Sequence, residues 1–266
     1  MRRRKRGRLA IALGLMLLTI AFAAPAVNAL WTQQALTMAQ TQLQANAAAE
    51  KAEKTAQNRL LATTDLLPNV DVFATGQDAG SAATHLVGQV TIPKLALVVP
   101  LFDTSSPALL QEGAVIVLGT SFPSGDPNTH AVIAAHNGLL GKELFTHLDR
   151  LTIGDRFVVT IGTTSRTYAV ERRLVVAPDQ TDTLRIEPGR ELVTLLTCTP
   201  YMINSKRLLV TAHRVASATT AAQDARRGAA AAVTWAWARL AALLLVAGGA
   251  VGWWVWRRRQ KRIRLH

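Results

Sequence analysis

The sequence predicts a mostly β protein: a closed barrel of eight short strands with few short helices, an N-terminal helical stalk and a transmembrane helix at each end. Three observations carry this. From Gly88 to Val215 the chain is a series of short β-branched, apolar runs separated by turn residues, with little helix between them. A closed barrel accommodates such a series without leaving exposed strand edges. Long uncharged stretches lie near both termini, and the basic residues crowd beside them.

The formal charge of +13 would ordinarily suggest a nucleic-acid partner, but its placement argues against one. Residues 1–8 hold six basic groups and residues 257–266 hold six more, with no acid in either tail. Without those twelve, 18 basic residues face 17 acidic ones, so the middle of the chain is almost neutral. The first tail abuts the uncharged run Leu9–Trp31, which is long enough to span a bilayer; Val27-Asn28-Ala29 also resembles a signal-peptide cleavage site, and both readings stand. The second tail follows Leu240–Trp256, with Arg239 placed to reach headgroups. All six tryptophans lie at or near the ends of these runs, as in interfacial belts. Basic clusters on one side of both spans predict a multi-pass membrane protein with cytoplasmic termini and an extracellular middle.

Taken in order, residues 1–31 form the basic tail and anchor or signal sequence. Residues 32–85 comprise a juxtamembrane segment whose Ala-, Gln-, Lys- and Glu-rich part, up to Leu61, predicts a helix, followed by a loop around Pro68, Gly76 and Gly80. The apolar positions of that helix are mostly alanine, so a solvated stalk is expected. Residues 86–215 form the barrel, with strands expected at Gly88–Ile92, Leu95–Phe102, Ala114–Leu118, His130–Ala135, Arg156–Ile161, Arg166–Ala177, Glu191–Thr197 and Lys206–Val215. Gly141–Leu151 has helical spacing. Residues 216–239 are a linker, 240–256 the second span and 257–266 a cytoplasmic tail. No phosphate-binding glycine loop or metal-type Cys/His spacing occurs, and no cofactor is expected.

The chemistry centres on Cys198, the single cysteine, at the end of a β-type run. A lone cysteine is often a small buried hydrophobe, but outside the cytoplasm cysteines usually pair, so an unpaired one points to reactivity. A thiol near neutral pH needs a neighbouring base or cation. Arg207 opens the next strand nine residues later. His130 and His136 bracket one strand, and Asn137-Gly138 ends it just beyond His136, so spacing favours His136 over His130. In the loop before the barrel, Asp71-Val72-Phe73 sets an acid and an aromatic in an otherwise bland stretch.

These residues resemble a family. Thr194-Leu-Leu-Thr-Cys198-Thr-Pro-Tyr201 is similar to the Thr-Leu-x-Thr-Cys signature of sortases, in the form found in the class C, pilus-assembling branch. Ala135-His136-Asn137-Gly138-Leu139, with Leu144-Phe145 and Leu148-Asp149 after it, resembles that branch's His-x-Gly-Leu segment, and Ser205-Lys206-Arg207-Leu-Leu-Val210 the segment that carries its arginine. The likeness covers roughly residues 86–215 and extends to the two terminal spans. It implies a sortase-type barrel and a cysteine transpeptidase. Cys198 would cleave a Leu-Pro-x-Thr-Gly-like sorting signal between Thr and Gly through a thioester. His136 would move protons, Arg207 would stabilise the oxyanion or fix the substrate, and Thr197 would contact substrate. The acceptor would be a lysine amine on a pilin. Asp71 and Phe73 would belong to a lid over the site, although Val72 replaces the proline often found there; Asn137 and Lys206 also depart from the residues common at their places. Two alternatives remain beside pilus polymerisation: a sortase that anchors surface proteins to cell-wall peptide, and a non-catalytic membrane-tethered β-domain.

Overall fold

A computed structural model describes residues 19, 23–64, 81–139, 141–215 and 218–263. Its centre is a closed barrel of eight strands: β1 (Leu86–Ile92), β2 (Leu97–Phe102), β3 (Ala114–Ile116), β4 (Thr129–Ala134), β5 (Arg156–Ile161), β6 (Thr164–Val176), β7 (Glu191–Thr199) and β8 (Lys206–Val215). The order around the barrel is β1-β2-β3-β4-β7-β8-β6-β5. All eight strands stand where the β-branched runs predict them. Residues 23–38 are helical and lead into α1 (Gln40–Thr64); α2 (Ala82–His85) and α3 (Pro107–Glu112) are short, and α4 (Ala218–Ile263) closes the chain.

Two apolar clusters explain why β7 is buried on both faces. Alternate residues of the strands fill the barrel interior, among them Ile133, Val193, Leu195, Leu208, Val210, Phe157 and Tyr168. The opposite face of β4, β7 and β8 carries Val132, Ala134, Leu196 and Leu209, covered by Leu109 and Leu110 of α3 and by Leu184. A strand with apolar cover on both sides reads as a continuous apolar run rather than an alternating one, as Leu192 to Leu196 does in all but Thr194.

Three expectations are corrected. The stretch Gly141–Leu151 is a chain of turns ending in the single 3-10 turn Leu148–Arg150. Its fully buried Phe145, Leu148 and Leu151 are spaced by three, which suits three residues per turn, and Leu144 has φ of 41°. The expected solvated stalk is docked. Along α1, Leu43, Ala47, Asn58 and Leu61 are buried; Asn46 Nδ2 donates to the carbonyls of Ala83 and Leu86. Asn58 Nδ2 donates to the Phe122 carbonyl while its Oδ1 accepts from the Phe122 amide. Two widely spaced leucines, Ala47 and two asparagines make this contact, without a continuous stripe of large apolar side chains. Residues 216–239, expected as a linker, are helical from 218 onward and pack on the barrel: Ala232 and Ala236 are buried, and a methyl added at Gly228 would lie 2.3 Å from Thr91 Cγ2.

Two spans are expected, and one helical stretch among the described residues is long and apolar enough to cross a membrane, Gln223–Val246 within α4. The first run, Leu9–Trp31, lies largely outside the described residues, as do Asp71 and Phe73.

Candidate active site

Strand register brings the three principal candidates together. β4 and β7 run parallel, and their last registered pair is Ala134 with Leu196; Ala135 N then donates to the Leu196 carbonyl. His136 and Cys198 each lie two residues beyond that last pair, on the same alternation of faces. β7 and β8 run antiparallel with Cys198 directly opposite Arg207. Residues in register on adjacent strands share a face, about 5 Å apart between backbones. The cysteine therefore stands at the middle of a three-strand row, flanked by an imidazole on one side and a guanidinium on the other, at the end of β4 and β7.

Local structure holds each member. Asn137 Nδ2 donates to the Cys198 carbonyl at 2.7 Å, tying the segment after β4 to β7 where the ladder itself has ended. Phe145 N donates to the His136 carbonyl. Gly138 turns the chain with φ of 79°, and a methyl there would meet Thr146 Oγ1 at 2.6 Å, so glycine is required on both counts. The Arg207 guanidinium is anchored through Nη1 on the carbonyls of Asn204 and Lys206 in the β7–β8 connection. Cys198 and Arg207 are both buried, and His136 is half-buried. Burial holds the His136 imidazole below its ordinary pKa of 6.5, so the neutral ring is favoured at neutral pH.

Thr197 takes a different place. Alternation along β7 turns it to the opposite face from Cys198, and its hydroxyl donates to the Ala135 carbonyl at 2.8 Å. It also lines a cavity of about 580 Å³ at the barrel mouth with Asn137, Phe145, His147 and Tyr201. His130, the other bracketing histidine, is fully engaged: Nδ1 meets the Arg185 carbonyl at 2.8 Å and Nε2 meets Thr194 Oγ1 at 2.7 Å. Arg214 sits near the far end of β8, paired with Tyr168 in register and 3.5 Å from Glu191, well away from Cys198. Among the described residues no group of His, Cys, Asp and Glu is arranged to hold a metal.

Comparison with known proteins gives the row a family. A Sortase domain model matches residues 90–215. Sortase C1 of Streptococcus agalactiae is 36% identical with a TM-score of 0.59, the match covering 65% of this chain and 91% of that one. The chain belongs to the sortase family. Among further relatives, a Streptococcus pneumoniae sortase C is 35% identical with a TM-score of 0.55, over 64% of this chain and 90% of the other. Sortase C-1 of Actinomyces oris is 34% identical with a TM-score of 0.55, over 63% and 99%. Sortase A of Bacillus anthracis is 29% identical over 126 residues, which are 47% of this chain and 58% of that protein. The structural relatives are class C sortases, and the shared region is the barrel with its His136–Cys198–Arg207 row. In this sortase Asn137 is the contact that sequence reasoning passed over: Asn137-Gly138 marks the strand end, but the strap on the Cys198 carbonyl depends on β7 lying alongside, which no local pattern announces.

Proposed function

We propose that this chain is a pilus-assembling cysteine transpeptidase held at the outer face of a membrane with both termini cytoplasmic. The observation that carries the reading is Cys198 in register with Arg207, while His136 and Cys198 each lie two residues beyond the last β4–β7 pair. The neutral His136 ring takes the Cys198 thiol proton as the sulfur attacks the threonine carbonyl carbon of a Leu-Pro-x-Thr-Gly-like signal, and Arg207 steadies the oxyanion that forms. The C–N bond breaks as the His136 imidazolium gives its proton to the leaving glycine amine, leaving a thioester and a neutral ring. A lysine ammonium of the next pilin, once deprotonated, attacks the thioester; His136 takes the amine's remaining surplus proton, the isopeptide forms and the thiolate is released. Thr197 acts here through position, tying β7 to the backbone that precedes His136.

Pilins are named as substrates for the Streptococcus pneumoniae relative, and pilus islands are the source of several others, which supports a pilin acceptor here. Mixing the full chain with a pilin that carries both a sorting signal and its acceptor lysine should give a ladder of covalent multimers on denaturing gels. A single addition to a cell-wall peptide amine, with no ladder, would point instead to surface-protein anchoring. The lid reading of Asp71 and Phe73 rests on the family resemblance; replacing Phe73 by Ala should speed alkylation of Cys198, and an unchanged rate would end it.

A further inference from the structure

The strand directions define two ends of the barrel. β1, β4, β6 and β7 finish, and β2, β5 and β8 begin, at the end that holds His136 and Cys198. Both terminal helices meet the barrel at that same end, α4 before its apolar run and the N-terminal helix within its own. α4 starts beyond the far end of β8, passes Thr91 and Pro93 at Gly228, and reaches Glu143 through the 2.5 Å ion pair of Arg239 before continuing as the exposed Leu244, Leu245 and Val246. On the N-terminal side, Ala24 lies against Gly141, 3.5 Å from where a β-carbon would stand, and α1 then runs away to Asn58 at the far end. Gly141 and Glu143 belong to one short loop, seven residues or fewer beyond His136.

The rim at this end is apolar where it is most exposed. The turn between β7 and β8 presents Met202 at 81% and Ile203 at 70% exposure, with Tyr201 beside them, and the turn before β5 presents Ile153 at 73%. Neither turn is needed to bury these side chains in the barrel, and a monomer in water gains nothing by presenting them. Lys206, Arg150, Arg156 and Lys94 are exposed at the same rim, with Asp149 and Asp155 beside them, so a mostly basic fringe surrounds the apolar turns.

We propose that this rim rests in the interface of the bilayer that α4 enters, with Tyr201-Met202-Ile203 and Ile153 as shallow apolar anchors. The occupant is a lipid surface, because both helices that carry the apolar runs meet the barrel at this end. Cys198, on the outer wall near the rim, then faces sideways along the membrane surface, where a donor still anchored in the lipid can reach it without leaving. The inference rests on the membrane reading of α4 and is independent of the transpeptidase reading.

The test uses the full chain in phosphatidylcholine nanodiscs, in a Cys198→Ala background with one fluorophore-labelled cysteine at a time. Met202→Cys and Ile153→Cys should be quenched by bromine placed high on the lipid chains and lose quenching by aqueous iodide. Thr163→Cys, in the turn at the far end, should show the reverse. Leu244→Cys should be quenched by lipid and reports the span itself. If position 244 is in lipid while 202 and 153 respond like 163, the docking is wrong and the anchor stands. If 244 also stays in water, both fall, whatever the enzyme does with peptides.

Discussion

The outer face of β4, β7 and β8 carries two rows of polar side chains. One joins His130, Thr194 and Thr211; the other, one pleat from the strand ends, joins His136, Cys198 and Arg207. His130 lies on β4 and reaches Thr194 one pleat past its registered partner Leu192, while His136 lies two residues beyond β4. Each row runs through a side chain on β7 to a partner on β8, with the apolar layer of Ala134, Leu196 and Leu209 between them. The first row is closed: His130 is 1% exposed, both ring nitrogens are engaged, and Thr194 passes the network on to Thr211 at 2.9 Å. The second lies where β4 has stopped pairing, and its histidine is half open. Chemistry of the side chains alone does not separate a structural histidine from a reactive one here. Distance from the strand end does, because only there can a substrate carbonyl approach the row.

The comparison can be broken by exchanging roles. His136→Ala should lower transpeptidation by about 10²–10⁴-fold, the usual worth of a positioned proton carrier, with little change in melting temperature. Arg207→Ala should cost about 10²–10³-fold in kcat, the scale of losing an oxyanion donor. His130→Ala should behave oppositely: activity measured on the folded enzyme is kept, while stability falls by about 1–3 kcal/mol because Thr194 and the Arg185 carbonyl lose their partner. Equal catalytic loss from His130→Ala and His136→Ala would erase the distinction.

The smallest effect is in pH. Burial, partly opposed by the bond to Arg185, lowers the His130 pKa below the 6.5 of the unfolded chain. Between those two values the unfolded state binds more protons, so stability rises with pH through that window and is fully present above about 6.5. Melting temperature should therefore drop as pH falls from 7 toward 5.5, and His130→Asn should flatten that slope; an unchanged slope would place the titrating group elsewhere, with His136, shifted in the same direction, as the next to vary.

Much of this was legible in the sequence because two-sided burial writes itself as apolar, β-branched runs, and Asn137-Gly138 after His136 marks a strand end. Alternation likewise dictates that Thr197 cannot face the way Cys198 does, an inference available from adjacency alone. The docking of α1 was not legible, since two widely spaced leucines, Ala47 and two asparagines make the contact without a continuous apolar stripe. Nor was the course of α4, because a small-residue stretch reads as a linker until Gly228, Ala232 and Ala236 are seen to let a helix approach the barrel closely. The turns over residues 141–151 were misjudged because a spacing of three and a spacing of 3.6 differ little over ten residues.

The central claim is that Cys198, set between His136 and Arg207, is the nucleophile. Intact mass of the full chain after mixing with a peptide bearing a Leu-Pro-x-Thr-Gly signal tests it most directly. The account predicts a rise equal to the acyl fragment ending at threonine, located on Cys198, cleared by hydroxylamine and missing from Cys198→Ala. An adduct that survives in Cys198→Ala, or cleavage of the peptide without dependence on that sulfur, would contradict it.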